Sequence, residues 1–155
     1  MDFLQYATPE HGIKINYPST WQKADKNTSV IPHPYVVVFA PPVESFPSSY
    51  REFIGISIVD NTTNSLKECM DQHFDNIRNA EPNCNIFESS STSTTIQGSP
   101  AYRLGYTNGD GIKILAVTTR KGDKVYSIKY FSRPRKYQEY LFTVEQMIAS
   151  FEFLP

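Results

Sequence analysis

From Gly12 to Trp21 the chain reads Gly-Ile-Lys-Ile-Asn-Tyr-Pro-Ser-Thr-Trp, with Ile13, Ile15 and Tyr17 alternating with Lys14 and Asn16. Alternation of period two marks a strand with one buried face. Pro18 removes a ladder donor and stops that strand. Ser19 and Thr20 supply a turn, and Trp21, the single tryptophan, is expected to anchor in the core beside it. Gln22 to Ser29 reads as a polar connection. Tyr35-Val-Val-Val-Phe-Ala40 lies between prolines, too short for a helix and apolar throughout. Such a run predicts a strand inside a sheet with both faces covered. Phe53 to Asp60 alternates again, with Ile54, Ile56 and Ile58 on one face.

Ser65-Leu-Lys-Glu68 matches a capping box, in which the Ser hydroxyl and the Glu carboxylate satisfy free N–H groups reciprocally. Leu66, Cys69, Met70, His73, Phe74 and Ile77 then recur at helical spacing, so a helix is predicted from Leu66 to about Ala80, stopped by Pro82. Ile86 to Arg133 reads as four strands in a meander. The first contains seven consecutive Ser or Thr residues, Ser89 to Thr95, and is placed as a solvated outer strand because Thr is β-branched and Ile86, Phe87 and Ile96 bracket it. Tyr102, Leu104 and Tyr106 share a face of the second strand, and Asn108-Gly-Asp-Gly111 is a hairpin turn, since Asn and Gly take positive φ readily. Arg133-Pro-Arg-Lys136 ends the fourth strand. A second helix follows, with Tyr137, Leu141, Val144, Ile148 and Phe151 one or two turns apart, ending near Ser150. This order predicts an α+β chain with one mostly antiparallel sheet of about six or seven strands, covered by helices on both faces.

The landmarks Gly12 to Trp21, Val38-Phe-Ala-Pro41, Ile56-Ser-Ile-Val59, Ser65 to Glu68, Gly98-Ser-Pro-Ala-Tyr102, Val125-Tyr-Ser-Ile-Lys-Tyr130 and Met147-Ile-Ala-Ser-Phe151 follow one another in an order that resembles the PsbP-like family. That family is related in fold to the Ran guanine-nucleotide release factor, and the chain is most similar to its prokaryotic stand-alone members. The resemblance spans nearly the whole chain and implies a single domain, 1–155, built as an α/β/α sandwich. The plant photosystem members rely on an N-terminal extension, whereas only eleven residues precede Gly12 here. The acidic surface with which the Ran factor meets its GTPase has no counterpart motif, so no functional residue is carried over from either branch.

Composition narrows the function. Fifteen basic and sixteen acidic residues give a net charge of −1, which offers no steering toward nucleic acid or anionic lipid. No apolar run approaches the length of a membrane span, and the opening Met1-Asp2-Phe3-Leu4 turns polar at once, unlike a signal peptide. A cytoplasmic location is expected if Met1 is the native start, an extracytoplasmic and tethered one if a leader was removed. Ten Phe, ten Tyr and one Trp supply ample bulk for a core.

Motifs that carry chemistry are missing. There is no GxSxG elbow, no GxxxxGK[ST] loop and no GxGxxG turn. Cys69 and Cys84 stand too far apart for a CxxC pattern, read as reduced thiols, and Cys69 falls on the apolar stripe of its helix. His11, His33 and His73 could meet only through folding, and Asp60 to Asn64 lacks the Gly and terminal Glu of an EF-hand loop. Arg133 to Lys136, with Tyr130, Phe131 and Tyr137 around it, is the densest basic cluster, but those aromatics are expected to point inward rather than stack on bases. Asn27-Thr-Ser29 and Asn61-Thr-Thr63 satisfy the glycosylation pattern, which matters only after export.

The expected function is therefore a non-enzymatic binding module, with no catalytic residue, no cofactor and no metal ligand. Its expected partner is another protein, and the chain itself is expected to be a monomer or weak homodimer. The expected interaction edge is the Ser/Thr strand, through Ser89, Ser91, Thr92, Ser93 and Thr95. The alternative is a small-ligand or metal-binding protein of the same fold, which a cleft lined by His11, His33 or nearby acids would favour.

Overall fold

The computed structural model describes residues 2–26, 31–32, 34–42, 52–60, 63–80, 85–96 and 98–155, the side chains of 80 and 89–95 excepted. Ten strands and two helices follow in chain order: β1 (Phe3–Thr8), β2 (Ile13–Pro18), β3 (Gln22–Asp25), β4 (Tyr35–Ala40), β5 (Phe53–Val59), α1 (Leu66–Ala80), β6 (Asn85–Ile96), β7 (Ser99–Thr107), β8 (Lys113–Lys121), β9 (Lys124–Ser132), α2 (Pro134–Ser150) and β10 (Glu152–Phe153). The strands form two sheets. A seven-stranded sheet has the order β3-β4-β5-β9-β8-β7-β6, antiparallel at every junction. A three-stranded sheet has the order β1-β2-β10.

The single sheet expected from the sequence is thus corrected to two. The Ile13–Tyr17 strand belongs to the small sheet, paired with β1 and β10. Its place in the large sheet is taken by β3, within the stretch read as a polar connection. Lys23 and Ala24 pair with Phe39 and Val38, and only Ala24 of that strand is fully buried. One apolar residue in four cannot announce a strand; pairing with the buried β4 creates it. Strand β1 is similarly hidden, because its half-buried Phe3, Tyr6 and Thr8 are not spaced by two throughout.

The remaining elements form for the reasons their residues give. Strand β4 is buried along its whole length, one place in from the β3 edge. The capping box closes as expected: the Glu68 N–H donates to Ser65 Oγ at 3.1 Å and the Ser65 N–H donates to Glu68 Oε1 at 3.0 Å. At the β7–β8 turn, Asn108 Oδ1 accepts from the N–H groups of Asp110 and Ile112, and Gly111 adopts φ 81°. The residues around Pro82, the Asn27–Ser29 sequon and Asn61–Thr62 lie outside those described.

Helix α2 starts at Pro134, whose missing N–H suits the first turn. No side chain of its own segment caps it. The Glu52 carboxylate supplies that role from across the fold, accepting hydrogen bonds from the Arg133 N–H, Nε and Nη2 at 2.8–3.0 Å. Burial alone would raise the Glu52 pKa, but the bonds from Arg133 outweigh it and hold the carboxyl below its ordinary value. Lys136 pairs with Glu139, and Tyr130 and Tyr137 are buried. The basic cluster therefore spends two of its charges within the protein.

Most of the core lies where α2 and the small sheet meet the large sheet. Tyr126, Ile128 and Tyr130 of β9 join Tyr137, Val144, Met147 and Phe151, together with Ile13 and Ile15. Phe39 receives Tyr17 at 4.9 Å and the edge of Tyr6 at 5.8 Å between ring centroids. Tyr130 hydrogen-bonds through its hydroxyl to the Tyr137 carbonyl, which satisfies a buried phenol. Trp21 is half-buried and packs on the margin of this cluster, edge-on to Tyr140. It is an anchor, but a peripheral one.

Candidate functional site

Successive residues of a strand point to opposite faces of a sheet. On β9, Tyr126, Ile128 and Tyr130 enter the α2 core. Val125, Ser127 and Lys129 alternate with them and line a groove of about 280 Å³ whose other wall is α1. Cys69, Gln72, His73 and Asn76 come from the helix, Ser57 and Val59 from β5, and Tyr102 from β7. Spacing explains the helical set: residues three and four apart share one face.

The groove holds a chain of polar contacts. His73 Nδ1 lies 3.3 Å from the Tyr102 hydroxyl, Tyr102 is hydrogen-bonded to Thr118, and Thr118 Oγ1 lies 3.0 Å from Ser127 Oγ. Burial, aided by the nearby Lys129 ammonium, lowers the His73 pKa to about 4, so the imidazole is neutral near pH 7. The Tyr102 phenol is pushed up, chiefly by burial.

Lys129 is the charged member. It sits between Gly55 of β5 and Ala116 of β8, its directly paired neighbours. Ala116 places little side-chain bulk beside it, while the Tyr35 ring takes the space over Gly55. Gly55 is held to glycine by Tyr35, whose ring carbons would come within 2.5–2.8 Å of an added Cβ. Among the described residues Lys129 joins no ion pair. Burial lowers its pKa.

This convergence of titratable groups was not expected from the sequence, which predicted edges and loops without an evident pocket. In the sequence His73 is one position of an apolar stripe and one of three scattered histidines, and Lys129 carries no signal of its own. The pairing of Lys129 with glycine and alanine on adjacent strands is visible only once the register is known. Cys69 is a free thiol and half-buried on the groove wall. Cys84 and His33 lie outside the described residues. Among those described, no group of three or more His, Cys, Asp or Glu residues is placed to hold a metal ion.

The expected interaction edge lies elsewhere. Strand β6 borders only β7 and forms one edge of the seven-stranded sheet. Its register with β7 is interrupted twice, and the longer interruption falls between the pairs Ser90–Arg103 and Thr94–Ala101. Ser89 and Thr95 pair with Leu104 and Pro100, whereas Ser91, Thr92 and Ser93 fall inside the interruption. On the α2 side of this edge, Arg103 bridges Glu88 of β6 and Glu145 of α2, which ties strand and helix together. A larger hollow of about 420 Å³ is lined by Ser99, Lys121, Phe153, Leu154 and Pro155. The Lys121 ammonium there already sits over the Phe153 ring at 4.6 Å, so that hollow presents no unengaged cation.

A large antiparallel sheet, a second small sheet and two helices make this a mixed α/β chain. The chain belongs to the PsbP-like protein family, whose pattern matches residues 1–153. CyanoP, the cyanobacterial PsbP of Synechocystis, superposes with a TM-score of 0.69 at 15% identity, over 97% of this chain and 92% of that one. LpqN of Mycobacterium tuberculosis, described as involved in cell envelope biogenesis, gives a TM-score of 0.65 at 11% identity, over 99% of this chain and 91% of that one. A Pseudomonas aeruginosa protein of unknown function gives 0.59 at 11% identity, over 99% and 98%. At such identities the likeness establishes a shared fold. No curated protein matches the chain in sequence.

Proposed function

We propose that this chain is a non-enzymatic binding module whose partner is another protein, added as an extended strand along β6. The observation that carries the reading is the position of β6, a twelve-residue strand with a neighbour on one side only among the described residues. An edge of this kind offers N–H and C=O groups to a further strand, and alternate side chains then set specificity. The Ser/Thr sequence of 89–95 keeps such an edge soluble without obstructing main-chain pairing. On this reading the fold is an α/β/α sandwich in which α2 and α1 take opposite faces of the large sheet. The alternation along β9 supports that arrangement, which leaves the edges as the open ground.

A photo-crosslinking amino acid at position 92 tests the edge in cells, with position 142 on α2 as the control. Phe142 is 75% exposed. Crosslinking of one protein at position 92 and not at 142 is expected, with the purified pair binding at least about tenfold more weakly in Thr92→Pro. A partner that binds the proline variant as tightly as the parent would refute the edge. A reproducible turnover abolished by a single substitution would refute the non-enzymatic reading.

A further inference from the structure

We propose that the groove between α1 and the large sheet binds a small carboxylic acid, its carboxylate on Lys129 and its apolar body along Val59, Val125 and Pro34. The inference goes beyond the edge reading, concerns a different surface, and stands if the β6 proposal falls. It rests on four features of the groove taken together.

First, the half-buried Lys129 brings a cation to the groove and meets no protein carboxylate among the described residues. Charged side chains in such surroundings are ordinarily paired, and an exogenous anion completes the pair. Second, the polar lining around Lys129 includes donors that suit an anion: the hydroxyl of Ser57 and the amides of Gln72 and Asn76. No Asp or Glu stands among the described lining residues to repel one. Third, the groove also has an apolar rim, where Val59 is 55% exposed. A bare inorganic anion would leave that rim wet, whereas an acid with a short hydrocarbon or aromatic body covers it. Fourth, a volume of about 280 Å³ stands at the lower end of ligand-pocket sizes. That restricts the occupant to a small molecule and excludes a dinucleotide or an acyl lipid. A single cation matches a monocarboxylate better than a phosphate monoester, which carries close to two charges near neutral pH.

The test uses the intact chain and four probes, namely hexanoate and benzoate with their neutral counterparts hexanamide and benzamide, followed by backbone amide chemical shifts. Both acids are expected to bind saturably, with dissociation constants roughly in the millimolar range for ligands of this size. The shifts should centre on Val59, Cys69, His73, Ser127 and Lys129. The amides should bind about tenfold or more weakly, because they retain the shape and lose the charge. Lys129→Met should abolish the preference for acid over amide, while Lys129→Arg should retain it. The comparison of acids with amides on the parent protein requires no variant and keeps the test decisive if either substitution fails to fold. Amides binding as tightly as acids, acids that shift no groove residue, or an undiminished preference in Lys129→Met would each overturn the proposal.

Discussion

The two helices meet the protein in different ways. Helix α2 presents Tyr137, Val144 and Met147, all buried, to a dense apolar cluster. Helix α1 presents Cys69, Gln72, His73 and Asn76 to Ser57, Ser127 and Lys129, with an open groove between. Strand β9 is common to both regions and shows the contrast residue by residue: Tyr126, Ile128 and Tyr130 belong to the dry side, Ser127 and Lys129 to the wet one. Helical spacing alone makes a helix amphipathic. Whether its seam is sealed depends on volume and polarity, and α1 faces the groove with Cys69, Gln72, His73 and Asn76, which leave the space over Ser57 and Ser127 open. Stability is concentrated under α2, and the space for chemistry under α1.

Substitution under α2 should produce the largest effect. Met147 has no exposed surface, and Met147→Ala should cost about 2–5 kcal/mol, read from urea unfolding. A loss below about 1 kcal/mol would mean that the α2 seam is no better packed than the groove.

The next effect comes from the wet side and depends on pH. The His73 pKa lies near 4 in the folded protein and near the ordinary value of about 6.5 in the unfolded chain. Between these values the unfolded state binds the proton more readily, so stability should fall as pH falls through this window. The ceiling is about 3 kcal/mol, from roughly 1.4 kcal/mol per pH unit of difference. Unfolding measured across the window should show this slope in the parent and a flatter one in His73→Gln. Equal slopes would place His73 in water. Glu52 acts in the same direction at lower pH, because its folded pKa is depressed and its bonds to Arg133 are lost on protonation.

The third effect marks the border of the dry side. Trp21 is only partly buried and rests on Tyr140, so Trp21→Ala should cost about 2 kcal/mol, less than deletion of a fully buried aromatic ring. Its fluorescence should respond to added quencher more than a core tryptophan would, and complete protection would restore it to the core.

Sequence periodicity revealed the elements whose own residues decide them. The Ser65–Glu68 box, the apolar stripe of α2, the Asn108 turn and the β6–β9 meander all depend on local residues, and all formed as expected. Strands β1 and β3 have short or irregular patterns that carried no such information, and β10 depends on β2, a partner distant in the chain. The substitution of β3 for β2 in the large sheet follows from this, since Ile13, Ile15 and Tyr17 suit a buried face of either sheet equally well. The groove was the least legible part. His73, Tyr102 and Lys129 lie on three elements separated by 27 or more residues, and each is ordinary where it stands in the chain. Only the strand register brings Lys129 to the groove beside Ser127 and opposite His73.

The smallest expected effect sharpens the contrast most directly, because it repeats the Met147 experiment on the other helix. Cys69 also faces inward, and its position on an apolar stripe predicted a core residue. In the structure it is half-buried on the wall of the groove and its thiol is free. Truncation to alanine removes one sulfur beside space that is already open to water, so it creates little new cavity. The large penalty of core truncation arises from cavities that neighbouring groups cannot fill, and here solvent fills the space. Cys69→Ala should therefore change stability by less than about 1 kcal/mol, while Met147→Ala, at the equivalent inward position of α2, costs several times more. Unfolding of the two variants under one set of conditions checks the difference. Similar losses in both would show that α1 is seated as tightly as α2, and the distinction between a dry and a wet helix seam would fail.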